Sequence, residues 1–97
     1  MVRLSERIDI MSKYTYSSTG IENYLNDLFI SAWRLAGNEN IARSNVYPIV
    51  WYIATDRASA EFVKSMLKRR PETIAKRCSG GSVDETISRI KKYLKVV

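Results

Sequence analysis

The stretch VYPIVWYIA, residues 46–54, decides the fold of this chain, because it is the longest apolar run and its conformation is ambiguous. Valine, isoleucine, tyrosine and tryptophan favour β-strands. The aliphatic side chains nevertheless follow the spacing of one helical face, at Val46, Ile49, Val50 and Ile53. We therefore predict a helix. Since this helix would be apolar on nearly every side, we expect it to be central and surrounded by other helices.

The main alternative is a strand over residues 49–54 that pairs with residues 2–10. Apolar and polar side chains alternate over residues 2–10, and this period of two is typical of a half-buried strand. Such a pairing would make the fold α+β. Because no second alternating stretch exists, we prefer to divide the chain into an N-terminal extension or arm at residues 1–18 and a single helical domain at residues 19–97.

The clearest helix signal follows Thr19. Thr19 and Glu22 have the spacing of a capping box, in which each side chain binds a backbone N–H of the other residue. Apolar residues then recur at helical spacing as far as Ala36, and Gly37 predicts the end of this helix. Further along, Asn45 is the predicted cap of the central helix.

Three more helices are predicted in the C-terminal half. Thr55 or Asp56 caps a helix that ends near Arg70, because the next residue, Pro71, disfavours a helical conformation in the residue before it. Pro71 then begins a short helix. Ser82, with a glutamate three residues later, forms a second capping box and begins the last helix. The predicted fold class is all-α, as a compact bundle of four to five helices around the central helix.

The positive charge of the chain is concentrated in its C-terminal half. The formal net charge is +6, and residues 1–56 contribute −1 whereas residues 57–97 contribute +7. An asymmetry of this size indicates an anionic partner.

Nine basic side chains of this half are the predicted nucleic-acid contacts. If the helices that carry them pack side by side, their charges merge into one surface that could contact several phosphates. The predicted contacts are Lys68, Arg69, Arg70, Lys76, Arg77, Arg89, Lys91, Lys92 and Lys95. The turn at Gly80, Gly81 and Ser82 is a further predicted phosphate site, because it could present backbone N–H groups at the start of the last helix.

The sequence contains few of the residue types and motifs on which catalysis usually depends. Histidine, the commonest general base and metal ligand, is absent. The single cysteine, Cys78, cannot form an intramolecular disulfide or a zinc site alone, and we predict that it is a buried structural residue. Helix capping explains the adjacent carboxylates of Asp84 and Glu85. We therefore predict no enzyme activity, no catalytic residues, no metal and no cofactor.

The predicted location is the cytoplasm, without membrane association. The longest apolar run is about half of what a membrane span needs, and a single cysteine favours a reducing compartment. The predicted function is that of a small, basic nucleic-acid-binding protein that contacts the phosphates of DNA or RNA with little or no sequence readout. Base stacking is not expected, because Tyr93 is the only aromatic residue within the basic cluster.

The alternative function is a non-enzymatic protein–protein interaction or assembly subunit, including a homo-oligomer. Trp33, Trp51 or the alternating residues 2–10 would then supply the contact surface.

Overall fold

The computed structural model describes residues 14–78 and 81–96, which form five helices joined by short turns. In chain order, the helices are α1 (Ser18–Ala36), α2 (Glu39–Ala54), α3 (Ala60–Leu67), α4 (Pro71–Lys76) and α5 (Val83–Leu94). No strand occurs within the described residues, so the all-α prediction is confirmed. Residues 49–54 belong to α2 and are not a strand, and the proposed strand partner at residues 2–10 lies outside the described residues.

Helix α1 is capped by Ser17 rather than by Thr19. The Ser17 hydroxyl accepts a hydrogen bond from the Gly20 N–H at 3.0 Å. The predicted capping box of Thr19 and Glu22 is therefore wrong, because Thr19 already lies inside the helix. A Cβ atom on Gly20 would lie only 1.9 Å from the backbone oxygen of Thr15. The chain thus folds closely over this glycine before the helix starts.

The turn between α1 and α2 uses Gly37 and Asn38. Gly37 ends α1 as predicted, with a φ of 71° and an N–H that donates to the Trp33 carbonyl oxygen at 2.8 Å. Asn38 then caps α2, because its side-chain oxygen accepts a hydrogen bond from the Ile41 N–H at 3.0 Å. The predicted cap at Asn45 is wrong, since Asn38 starts the helix earlier and Asn45 lies within it.

Residues 46–54 form the C-terminal part of α2, which packs against both α1 and α5. Val46 and Ile49 are buried there. Pro48 lies inside the helix, where a proline costs about 3 kcal/mol because it donates no hydrogen bond and its ring crowds the preceding turn. Tyr47 is 54% exposed, so one side of this helix faces solvent and the expectation of complete coverage is not met.

Helix α3 is shorter than predicted at both ends. Its cap is Ser59, whose hydroxyl accepts a hydrogen bond from the Phe62 N–H at 3.1 Å, so neither Thr55 nor Asp56 caps it. The helix also ends before the basic residues 68–70. These residues therefore lie in the turn that leads to α4, where their side chains need not follow a helical face.

Helix α5 begins with the predicted capping box. The Ser82 hydroxyl accepts a hydrogen bond from the Glu85 N–H at 3.2 Å, and the Glu85 carboxylate accepts one from the Ser82 N–H at 2.8 Å. Helix α5 packs against α2 and α3, whereas α1 packs against α2 and α4. These pairings enclose one hydrophobic core, whose largest fully buried apolar side chains are Tyr24, Leu28, Ile49, Phe62, Met66, Ile74 and Ile90.

The segment before α1 contacts this core. The Tyr14 ring packs edge-on against Tyr24 at a centroid distance of 4.9 Å, and its hydroxyl donates a hydrogen bond to Asp27. Tyr14 therefore packs on the helical domain, while residues 1–13 of the predicted arm lie outside the described residues. No helix in the described part of the chain combines the length and the apolar character that a membrane crossing requires.

Candidate nucleic-acid interface

Four side chains from three segments meet in what we call the arginine–tyrosine cluster: Arg69, Arg77, Arg89 and Tyr93. The guanidinium carbon of Arg77 lies 3.7 Å from the centroid of the Tyr93 ring, and that of Arg69 lies 5.2 Å from it. Arg89 donates a hydrogen bond from Nη1 to the Arg77 carbonyl oxygen at 2.8 Å. Three of the predicted cations thus come together from the turn after α3, the end of α4 and helix α5.

Backbone contacts hold the arginines of this cluster in place. The Arg69 N–H donates to the carbonyl oxygen of Met66 at 2.9 Å, which keeps the turn after α3 tight. Arg77 donates from Nη1 to the Thr73 carbonyl oxygen at 3.1 Å, so its side chain runs back along α4 toward Tyr93. Cation–π contact with the tyrosine adds to these restraints. The guanidinium groups of Arg77 and Arg89 are therefore positioned before any ligand arrives.

The cluster carries net positive charge. Arginine remains protonated at all physiological pH values. Within the described residues, no carboxylate forms an ion pair with Arg69, Arg77 or Arg89. Arg89 does act on one carboxylate, that of Glu85. Hydrogen bonds from Ser82 and, to a smaller extent, the charge of Arg89 lower the pKa of the Glu85 carboxyl group. The surface therefore has a net attraction for anions.

The other six predicted cations do not belong to the arginine–tyrosine cluster. Arg70 forms an ion pair with Glu72 at 3.5 Å, so its charge is partly compensated. Lys91 lies elsewhere, with its ammonium 5.5 Å from the centroid of the Tyr52 ring. Four further predicted lysines are solvent-exposed and form no ion pair among the described residues: Lys68, Lys76, Lys92 and Lys95.

The predicted phosphate turn is only partly described, because Gly80 lies outside the described residues. Gly81 has a φ of 89°, which favours glycine. The Ser82 N–H already donates to the Glu85 carboxylate at 2.8 Å. One of the amides on which the prediction depended is therefore engaged by an anionic side chain of the chain itself.

A second cationic and aromatic surface was missed by sequence reasoning. We call it the aromatic groove, a cleft of about 380 Å³ between the end of α2 and helix α5. Arg57 lies with its guanidinium carbon 5.1 Å from the Trp51 ring centroid, and Lys91 approaches Tyr52. Its lining residues are Trp51, Tyr52, Arg57, Asp84, Ile87, Ser88 and Lys91.

One sequence signal could have pointed to this groove. Trp51 lies off the helical stripe of Val46, Ile49 and Ile53 that faces the core, so its ring must leave the buried face of α2. Sequence reasoning instead placed the run at the centre of the fold and considered Trp51 only as a contact surface for a protein partner. The proximity of Lys91 could not be foreseen, because it depends on how α2 and α5 pack.

Buried ionisable groups lie beneath the arginine–tyrosine cluster rather than in it. Cys78 is 1% exposed, which agrees with the predicted buried cysteine, and burial raises the pKa of its thiol to about 12. Burial also raises the pKa of Tyr24, whose hydroxyl has no hydrogen-bond partner within the described residues. The residues described contain no group of three or more histidine, cysteine, aspartate or glutamate side chains that could hold a metal ion.

No protein-family model, no curated protein and no solved structure shows significant similarity to this chain.

Proposed function

We propose that this protein is a non-enzymatic nucleic-acid-binding protein that neutralises phosphates of DNA or RNA with little or no sequence readout. The observation that carries this proposal is the arginine–tyrosine cluster. The guanidinium groups of Arg69 and Arg77 meet at the Tyr93 ring, Arg89 binds the backbone of Arg77, and none of the three forms an ion pair with a carboxylate within the described residues. Cations arranged in this way favour the release of counterions from a phosphate backbone, which is the main source of non-specific affinity.

The hydrogen-bonding capacity of the cluster favours phosphate as its ligand. A guanidinium group has five N–H donors. Arg77 uses one on the Thr73 carbonyl oxygen, and Arg89 uses one on the Arg77 carbonyl oxygen. The remaining donors can bind phosphate oxygens, including in the bidentate geometry that arginine favours. Because the side chains are already restrained, binding costs less conformational entropy.

The exposed lysines extend this positive surface. Lys68, Lys76, Lys92 and Lys95 would attract a phosphate backbone over a Debye length of about 8 Å at physiological salt. We also propose a cytoplasmic location, since Cys78 is a free thiol and free thiols are typical of reducing compartments.

The test is the salt dependence of binding to duplex and single-stranded DNA and RNA. We expect the double variant Arg69→Ala/Arg89→Ala to lower the slope of log affinity against log salt by about 2, because two phosphate contacts are lost. The matched control is Arg34→Ala/Arg43→Ala, which removes the same charge from α1 and α2 and should leave the slope close to that of the wild type. Absence of binding to any of these nucleic acids at low salt would refute the proposed function.

A second candidate function is that of a protein-interaction or assembly subunit. Four large apolar side chains of α1 and α2 are between 43% and 55% exposed: Trp33, Leu35, Ile41 and Tyr47. Leu35 and Ile41 also line an open apolar groove of about 370 Å³. Exposed apolar surface of this kind is typical of protein contact sites. Light scattering over a wide concentration range tests self-assembly, and a monomer at every concentration argues against it.

A further inference from the structure

The aromatic groove lies on the opposite flank of α5 from the arginine–tyrosine cluster. Arg89 and Tyr93, which belong to the cluster, are four residues apart and share one side of the helix. Lys91 is two residues from each, so it projects from the other side, toward Tyr52. The cluster and the groove therefore lie on different faces of the helix. Phosphate contact at the cluster does not account for the aromatic and cationic side chains of the groove.

The groove combines aromatic rings with cations. Trp51 and Tyr52 lie at its α2 side, both partly exposed, and Tyr52 is held by an edge-on contact with Phe62 at a centroid distance of 5.1 Å. Arg57 and Lys91 lie close to these two rings, at 5.1 Å and 5.5 Å from the centroids. Aromatic rings that stack bases beside cations that bind the backbone are the components of a single-strand binding site.

The rings of this groove are less closely covered by cations than the ring of the cluster. Arg77 lies 3.7 Å from the Tyr93 centroid and covers that ring closely. The cations of the groove approach their rings less closely, and Arg57 is solvent-exposed, so it can move from Trp51 to a phosphate. A volume of about 380 Å³ falls in the range of roughly 300 to 1,000 Å³ typical of small-molecule sites.

We propose that the aromatic groove binds an unpaired nucleotide of a single-stranded nucleic acid, with its base stacked on Trp51 and its flanking phosphates contacted by Arg57 and Lys91. This inference rests on the proposed function and specifies its ligand as a single strand. It also adds base stacking, which the sequence did not predict.

Asp84 defines the orientation of the nucleotide. Its carboxylate lies in the wall of the groove and repels phosphate, so the sugar–phosphate backbone lies on the side of Arg57 and Lys91. Every nucleobase carries at least one N–H donor, and an aspartate can accept a hydrogen bond from a base edge. Ser88, at the same wall, can donate or accept and does not discriminate between bases.

The experiment uses tryptophan emission as a direct readout of stacking. The chain contains two tryptophans, so the variant Trp33→Phe leaves Trp51 as the only emitter. We titrate it with oligothymidylate and oligouridylate of about twelve nucleotides, within the site sizes common for single-strand binders. An abasic oligonucleotide and a DNA duplex of equal length are the controls. We expect both single strands to quench Trp51, and we expect neither control to do so, because a stacked base is required.

The matched substitutions are Trp51→Leu and Trp51→Phe. Loss of one stacked base should weaken single-strand binding by about 5- to 150-fold in Trp51→Leu, while Trp51→Phe retains most of the affinity. If Trp51→Leu fails to fold, Arg57→Ala decides instead, since Arg57 is exposed and its removal opens no core cavity. That variant should weaken single-strand binding and leave duplex binding at the wild-type level.

The outcomes separate the two proposals. Quenching by the base-containing strands and by neither control supports the stacked base. Equal quenching by the abasic and base-containing strands, or binding of single strands without quenching, overturns the groove as a stacking site and leaves the proposed function in place. Absence of binding to any nucleic acid at low salt overturns both.

Discussion

The two flanks of α5 use the same kinds of side chain in different ways. On one flank, Arg77 closely covers Tyr93 at 3.7 Å. On the other, Arg57 and Lys91 stand at 5.1 Å and 5.5 Å from the centroids of Trp51 and Tyr52. In the first arrangement the ring restrains cations whose remaining N–H groups can bind phosphate. In the second, the rings themselves can be contacted, so similar composition suits the proposed phosphate site on one flank and the proposed stacking site on the other.

The backbone explains this difference. Helix α2 ends at Ala54, and the N–H groups of Arg57 and Ala58 both donate to the Tyr52 carbonyl oxygen, at 3.1 Å and 3.2 Å. The chain therefore turns back over the end of α2 and brings Arg57 beside Trp51 without packing it there. On the other flank, Arg77 is held by a hydrogen bond from its own side chain to the helix it follows.

The largest effect on stability is expected from a core substitution in α5, because the cluster and the groove both depend on the packing of this helix. Ile90 is fully buried on the face of α5 between them. Ile90→Ala should lower the free energy of unfolding by about 2 to 5 kcal/mol, because it removes buried methyl groups and leaves a cavity. Urea denaturation measures the loss. Ser88→Ala, an exposed change on the same helix, should stay within about 0.5 kcal/mol of the wild type. A similar loss in both variants would contradict this packing.

A smaller effect should come from removing the tyrosine of the cluster alone. Tyr93→Leu removes the ring that Arg69 and Arg77 contact, and should cost about 1 to 2 kcal/mol of unfolding free energy. Tyr93→Phe keeps the ring and should cost less than about 0.5 kcal/mol. Tyr47→Leu, at an exposed tyrosine without a cationic partner in the described structure, is the matched control. If Phe and Leu at position 93 were equally destabilising, the ring would not restrain the arginines.

The smallest effect on stability is expected from the capping box, which begins the helix that carries both the cluster and part of the groove. Hydrogen bonds from the backbone and side chain of Ser82 lower the pKa of Glu85 below its ordinary value of 4.5. Because the folded-state pKa is the lower one, the ionised carboxylate stabilises the fold above that ordinary value, and this contribution is lost as the pH falls through the folded-state pKa.

Denaturation of the wild type and of Glu85→Gln from neutral pH down to a pH below the ordinary carboxyl pKa tests this linkage. The variant should lose less stability than the wild type over that interval, since it has no carboxylate to protonate at this position. Glu22→Gln, which changes an exposed glutamate outside any capping box, is the matched control. An identical pH dependence in Glu85→Gln and the wild type would rule out the contribution.

The sequence predicted the helical fold correctly where helical spacing and stop residues agree. Gly37 ends α1 and Ser82 begins α5 as expected. The caps at Ser17, Asn38 and Ser59 were missed, because several polar residues near each helix start have suitable side chains and only the observed backbone path selects one of them.

The candidate site was predicted in part. Sequence proximity suggested that Arg69 and Arg77 belong together, and they meet at Tyr93. The aromatic groove escaped prediction because Tyr52 and Lys91 are far apart in the chain and become neighbours only through the packing of α2 against α5. Residue types reveal charge, but tertiary packing decides which charges lie beside which rings.

Pro48 has a consequence for the local opening of α2. Without an N–H, it leaves the Ser44 carbonyl oxygen without its usual helical donor and interrupts the hydrogen-bond ladder in the middle of the helix. Helices are weakest at such interruptions, and segments on either side can exchange their amide hydrogens as separate units. The segment after Pro48 carries both Trp51 and Tyr52. Local opening of this segment alone would change the width of the aromatic groove while the rest of α2 stays folded.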